Sequence, residues 1–197
     1  MANPLHAVPD AGPDATRANV LRAAAALLAV DSGASLAQIA AAAGVGRTTV
    51  HRVFPTRAEL LTALALQSVG HLQSALSEAR LADGPVPEVL ARIVEQVLPL
   101  AAELRFLDAG PEVWKLPELQ DAWWSVAAAL DAVVERGQRE GDLRADVPAE
   151  LVVEAFTGML WGVWQGIRDG RVARQTATRH LVTLTLAGLQ TPGTGPS

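Results

Sequence analysis

Five residues within six consecutive positions, Arg47, Thr48, Thr49, His51 and Arg52, carry side chains able to donate hydrogen bonds to anions or base edges. Arginine pairs with guanine O6 and N7 through two N–H groups, and short hydroxyls serve phosphate oxygens. Such residues are useful only if one rigid element presents them together. Between them and just after them fall Val50, Val53 and Phe54, an apolar back for a helix beginning at about Gly46. The preceding stretch predicts a second short helix. Ser35 and Gln38 form an S-x-x-Q capping box, and Leu36, Ile39 and Ala40 supply an apolar face. Gly44 ends that helix, because the position past a helix C-terminus favours a positive φ. Val45 is expected in the angle between the two helices. Pro55 stops the second helix, and Thr56 with Glu59 forms the capping box of the next. The result is a helix-turn-helix whose second helix is shaped to enter a major groove.

Charge is divided along the chain in the way this reading needs. The net charge is −5, yet residues 14–57 hold Arg17, Arg22, Arg47, Arg52 and Arg57 against Asp14 and Asp31. That is +3 for this stretch and −8 for the rest, a basic end on an acidic body. Arg17 and Arg22 lie off the buried stripe Val20, Leu21, Ala24, Leu27 and Leu28 of a first helix from about Asp14 to Val30. Solvated charge and a phosphate contact are both open readings for them.

The same residues resemble the DNA-binding signature of the tetracycline-repressor (TetR) family. The matching positions are Ile39-Ala40, Ala43-Gly44-Val45, Thr49, Phe54-Pro55 and Glu59-Leu60, and the resemblance is specific over roughly Val20 to Leu64. His51 stands where the family usually has a phosphate-contacting tyrosine, and Arg57 where it usually has a lysine. Thr48 replaces the small residue that often follows Arg47. The resemblance implies an all-α fold, with an N-terminal three-helix DNA-binding domain and a helical ligand-binding and dimerisation domain. It also implies double-stranded DNA with a palindromic operator as partner, and a homodimer in which the last two long helices of each subunit form a four-helix interface. A ligand pocket in the body would then alter the separation of the DNA-binding heads. Arg17, Ser35, Gly46, Arg47, Thr48, Thr49, His51, Arg52 and Arg57 are the candidate DNA-binding residues. For His51, contact with phosphate and packing against the next helix both stand.

The expected organisation is a disordered tail over residues 1–13, a helix-turn-helix domain over 14–64, a helical body over 65–190 and a disordered tail over 191–197. One long helix from Arg57 to about Leu81 joins the two parts, and Ala82-Asp83-Gly84-Pro85 breaks it. Further helices are expected at about Pro87–Pro99, Pro117–Glu140, Ala149–Asp169 and Val172–Leu189, with a short segment Ala101–Ala109.

Two features of the body point beyond packing. Tryptophan is frequent in a chain that is 4% aromatic. Trp114, Trp123, Trp124, Trp161 and Trp164, with Phe106 and Phe156, are the candidate walls of a pocket for a small apolar or aromatic molecule. The second is the row Gly158, Gly162 and Gly166. Glycine within a helix costs about 1 kcal/mol against alanine, so close approach of another helix is the favoured compensation. Room for the tryptophans or a ligand is the alternative. With Leu181 and Leu184, the row forms the candidate dimer interface.

Composition excludes other classes. The 197 residues contain no cysteine, so thiolate metal sites and disulfides are absent and a reducing compartment is the default. The N-terminus has neither the basic start nor the apolar run of a signal peptide, and no apolar segment approaches the length of a membrane span. The expected location is cytoplasmic, with no membrane partner. The four histidines 6, 51, 71 and 180 are scattered, and no hydrolase, zinc-protease, phosphate-loop or dinucleotide motif occurs. No catalytic residue, metal or cofactor is therefore assigned. A helical ligand-binding dimer without operator binding, and a small α-helical enzyme, are the competing classes.

Overall fold

The computed structural model describes residues 12–104 and 113–189. Phe106, the tail 191–197 and residues 1–11 of the first expected tail fall outside the described residues; Pro13, expected in that tail, is instead the first residue of a helix. Within the described residues the regular elements are all helices, with no strand. It divides into two compact units, Met1–Leu64 and Ala65–Ser197.

The first unit holds α1 (Pro13–Leu28), α2 (Leu36–Ala42), α3 (Arg47–Val53) and the start of α4 (Arg57–Glu78), which runs on past the division between the units. Its core draws one apolar face from each helix: Val20, Leu21, Ala24 and Leu28, then Ile39 and Ala40, then Val50 and Phe54, then Leu60 and Leu64. Ser35 caps α2 in both directions. Gln38 N–H donates to Ser35 Oγ at 3.3 Å, and Ser35 N–H donates to Gln38 Oε1 at 2.9 Å. Gly44 adopts φ +67°, as the turn demands. Around it Val45 N–H donates to Ala40 O at 3.0 Å and Gly44 N–H to Ala41 O at 3.1 Å. That pair of bonds is the Schellman motif, which satisfies the last carbonyls of α2. Phe54 leaves the helix in an extended conformation before Pro55. Glu59 N–H then donates to Thr56 Oγ1 at 3.1 Å to start α4.

The second unit is built on α5 (Val86–Val97), α7 (Pro117–Glu140), α8 (Ala149–Arg168) and α9 (Arg174–Leu189), with the short α6 (Ala101–Leu104) after a 3-10 turn at Leu98–Leu100. α5 packs against α7 and α9, and α8 packs against the same two, so the four close a ring. α5 buries Val86, Val89, Leu90, Ile93, Val94 and Val97, one full stripe at helical spacing. Arginines hold the turn after α4. Arg92 donates to Ala79 O at 2.8 Å, and Arg136 donates to Leu81 O at 3.0 Å and Gly84 O at 2.9 Å. Carbonyls left open where a helix ends are thereby satisfied.

One glycine that the sequence did not single out matters here. Gly137 lies inside α7, and a Cβ there would sit 2.8 Å from Leu143 Cγ and 2.9 Å from Val86 Cγ1. Glycine is required because the loop after α7 and the start of α5 close directly on the α7 backbone.

Candidate DNA-reading helix and ligand cavity

α3 separates its residues by face. Arg47, Thr48, His51 and Arg52 are exposed and Thr49 is half-buried, while Val50 is buried and Val53 half-buried beneath them. The exposed four repeat at i, i+1, i+4 and i+5, one side of a helix. Gly46 is the extended N-cap residue of α3, exposed like the side chains that follow it. His51 Nδ1 lies 3.3 Å from the Pro55 carbonyl oxygen. A carbonyl only accepts, so that contact places a proton on Nδ1 and leaves Nε2 facing outward without one in the neutral ring.

The remaining candidates surround this helix in different roles. Ser35 is spent on the α2 cap. Arg57 is half-buried, and its guanidinium donates to Ser32 O at 2.6 Å and Ala34 O at 3.2 Å. It fastens the loop between α1 and α2 to the start of α4. Arg17 is exposed and places its guanidinium carbon 5.1 Å from the centre of the Phe54 ring. A further residue, Asn19, donates from Nδ2 to Ala43 O at 2.8 Å and pins α1 to the end of α2. No spacing rule could have found it, since the contact joins residues 24 apart.

The body holds a half-open cavity of about 450 Å³. Trp114, Trp123, Phe156 and Trp161 line it among aliphatic side chains from α4, α5 and α7, including Leu72, Ile93 and Leu130. Trp114 and Trp123 meet edge to face, with ring centres 5.2 Å apart. Two of the candidate walls are corrected. Trp124 is 68% exposed and does not line the cavity. It follows Trp123 by one residue, about 100° round the helix, so the two cannot face the same way. Trp164 is buried outside the lining. It stacks on Trp161 at 5.3 Å, and the Arg168 guanidinium carbon lies 5.5 Å from its ring centre.

The glycine row separates into two parts. Gly166 is buried, and a Cβ there would lie 2.6 Å from Val172 Cγ2, so this glycine serves the corner between α8 and α9. Gly158 and Gly162 are exposed with open space where a Cβ would point, and Gly158 borders the cavity. Leu181 is fully buried in its own chain, whereas Leu184 is 61% exposed. Gly166 and Leu181 therefore leave the candidate interface, because neither has surface to offer a second subunit.

An exposed polar helix held behind a glycine turn, on a unit separate from a helical body with a cavity, defines a helix-turn-helix transcriptional regulator. Residues 20–64 match the family model described as bacterial regulatory proteins, tetR family. The chain is 34% identical over 179 residues to the HTH-type transcriptional repressor LfrR of Mycolicibacterium smegmatis, covering 91% of this chain and 93% of that protein. It is 30% identical over 161 residues to the HTH-type transcriptional regulator NfxB of Pseudomonas aeruginosa, covering 81% and 86%. The crystal structure of LfrR from Mycobacterium smegmatis in complex with proflavine superposes with a TM-score of 0.75 at 32% identity, over 89% of this chain and 97% of that one. The chain belongs to the TetR family: it is a DNA-binding transcriptional regulator, not an enzyme. Among the described residues, no helix is long and apolar enough to cross a membrane.

Proposed function

We propose that the protein is a homodimeric repressor in the cytoplasm, which reads a palindromic operator with α3 and is released when a planar aromatic molecule enters the body cavity. The observation that carries this reading is the face of α3, where four polar side chains stand exposed on a helix otherwise anchored by Val50 and Phe54. Arg47, first in the helix, is assigned to a base edge, and Thr48, Thr49, His51 and Arg52 to the bases and phosphates beside it. Ser35, Gly46 and Arg57 set the shape of the loops on either side, and Arg17 adds positive charge at the rim.

Support for the dimer comes from two uncovered stripes. On α8, Leu151, Ala155, Gly158 and Gly162 are all exposed at intervals of four, three and four. On α9, Leu184, Ala187 and Gly188 are exposed together. Small and apolar side chains at helical spacing suit a second pair of the same helices. Two copies also satisfy the geometry of DNA, since recognition helices enter successive major grooves about 34–36 Å apart. For the ligand, the aromatic lining of the cavity is the argument, together with the relative LfrR, whose structure holds proflavine. A ligand that binds better to the arrangement unfit for DNA lowers operator affinity by population shift.

The test is selection of bound duplexes from a random pool, followed by gel-shift titration. A two-fold symmetric sequence bound by the wild type, and lost on adding an acridine, is the expected result. Recovery of no sequence above background would overturn the reading.

A further inference from the structure

The cavity is apolar or aromatic on almost every side, and among the described residues one side chain of its lining is charged. That residue is Glu154, on α8 one turn before Gly158. The residue is exposed, at the rim of the cavity, and its carboxylate makes no hydrogen bond and no ion pair with the described residues. One other carboxylate, outside the lining, feels its charge. The carboxyl of Asp131, on α7, is pushed above its ordinary value first by burial and then by Glu150, Glu135 and Glu154. Arg139 is the cation paired in this group, 3.8 Å from Glu135 on the exposed side of α7. Among the described residues, the charge at this edge of the cavity is therefore the carboxylate of Glu154, with Asp131 near it.

Such a cavity repels acids. A fatty acid, a phosphate ester or an acyl thioester with a nucleotide tail would bring its own negative charge toward that carboxylate, at a cost that none of the described lining groups offsets. An organic cation with its charge spread over flat rings has the opposite fit. Its faces lie against Trp123 or Trp161, whose π clouds attract positive charge, and its charge offsets that of Glu154. We propose that the cavity selects planar organic cations over neutral and anionic aromatics, and that Glu154 is the residue that makes the selection. This rests on the cavity being the ligand site, so the test separates the two claims.

The probes are N-methylacridinium, which carries a permanent charge, and acridine at pH 8, which has nearly the same shape and no charge. Binding to the intact chain is measured by equilibrium dialysis for wild type, Glu154→Gln, Glu154→Asp and Ala127→Trp, the last placing bulk on the cavity wall. The wild type is expected to prefer the cation about five- to tenfold. Glu154→Gln should remove that preference by weakening the cation alone, Glu154→Asp should keep most of it, and Ala127→Trp should weaken both probes. If Glu154→Gln binds the cation as tightly as wild type while Ala127→Trp loses it, the charge selection is overturned and the cavity stands. If wild type binds neither probe, or Ala127→Trp binds both unchanged, the cavity itself is wrong and the proposal falls with it.

Discussion

The two units build their sites by opposite means. In the first, the working residues lie within six positions of the chain, and everything that shapes α3 is close by in sequence: a capping box, a glycine with positive φ, and a proline stop. The polar groups point outward and need only a small core behind them. In the second, the cavity walls come from residues between Leu72 and Trp161, on several separate helices. No short stretch contains the site. A surface reader is thus a property of local structure on a rigid support, whereas a cavity is a property of how many elements fail to fill the space between them.

The strongest way to break this contrast is Phe54→Ala. Phe54 is 3% exposed behind α3, and losing a buried phenylalanine costs about 3–5 kcal/mol. That is comparable to the whole stability of a unit this small. Operator binding should vanish in gel-shift assays while ligand binding, measured by dialysis, survives. Loss of both would show that the sites are not separable.

Two glycines sharpen the view of the body. Gly137→Ala drives a methyl into Leu143 and Val86 and should destabilise the protein by about 1–3 kcal/mol in denaturant melts. Gly162 has open space in the single chain, so Gly162→Ala should raise subunit stability by up to about 1 kcal/mol. Gly162→Leu should shift sedimentation toward monomer, because its bulk meets the proposed partner. A Leu variant that remains dimeric at wild-type concentrations would move the interface elsewhere.

On DNA, Arg47→Ala should weaken operator binding by about 1–3 kcal/mol and relax the preference at one base position in each half-site. Weaker binding with an unchanged preference would make Arg47 a phosphate contact only. His51 should give a smaller effect of about 0.5–1 kcal/mol. With Nδ1 bonded to Pro55 O, only the doubly protonated ring can donate from Nε2 to a phosphate. Wild-type affinity should then fall as pH rises from 6 to 8 at constant ionic strength, and His51→Tyr should flatten the slope. Equal slopes would remove His51 from the phosphate.

The smallest effect is expected at Asp131. Its folded-state proton is held more tightly than in the unfolded chain, so folding stability gains as pH falls through its titration and pays a cost above it. Asp131→Asn should melt about 1 °C higher than wild type at neutral pH. The difference should shrink as pH drops into the range where Asp131 is protonated. A variant that melts lower at neutral pH would mean that the local field is not repulsive.

Legibility followed the same division. The α7 limits Pro117 and Glu140 were readable to the residue, because a proline start and a glycine with φ +83° at Gly141 mark them locally. The turn at Gly44, the Ser35–Gln38 capping box and the Thr56 cap of α4 were equally plain. The tryptophans were half legible: their number announced an aromatic wall, but helical rotation put Trp124 outside it and stacking withdrew Trp164. The glycine row misled for a related reason. Its spacing was real, yet Gly166 answers to Val172 within its own chain, while Gly137, in no row at all, is closed upon by both Leu143 and Val86.

By itself, the amino-acid order determined the helices, the turn that presents α3 and the split of charge between the two ends, since caps, periodicity and net charge act over a few residues. Tertiary structure decided which side chains those helices spend on one another. It turned Arg57 onto the carbonyls of Ser32 and Ala34, tied Asn19 to Ala43, buried Leu181, and set Glu154 at the edge of a cavity. Those outcomes depend on distances between residues far apart in the chain, and no local propensity encodes them.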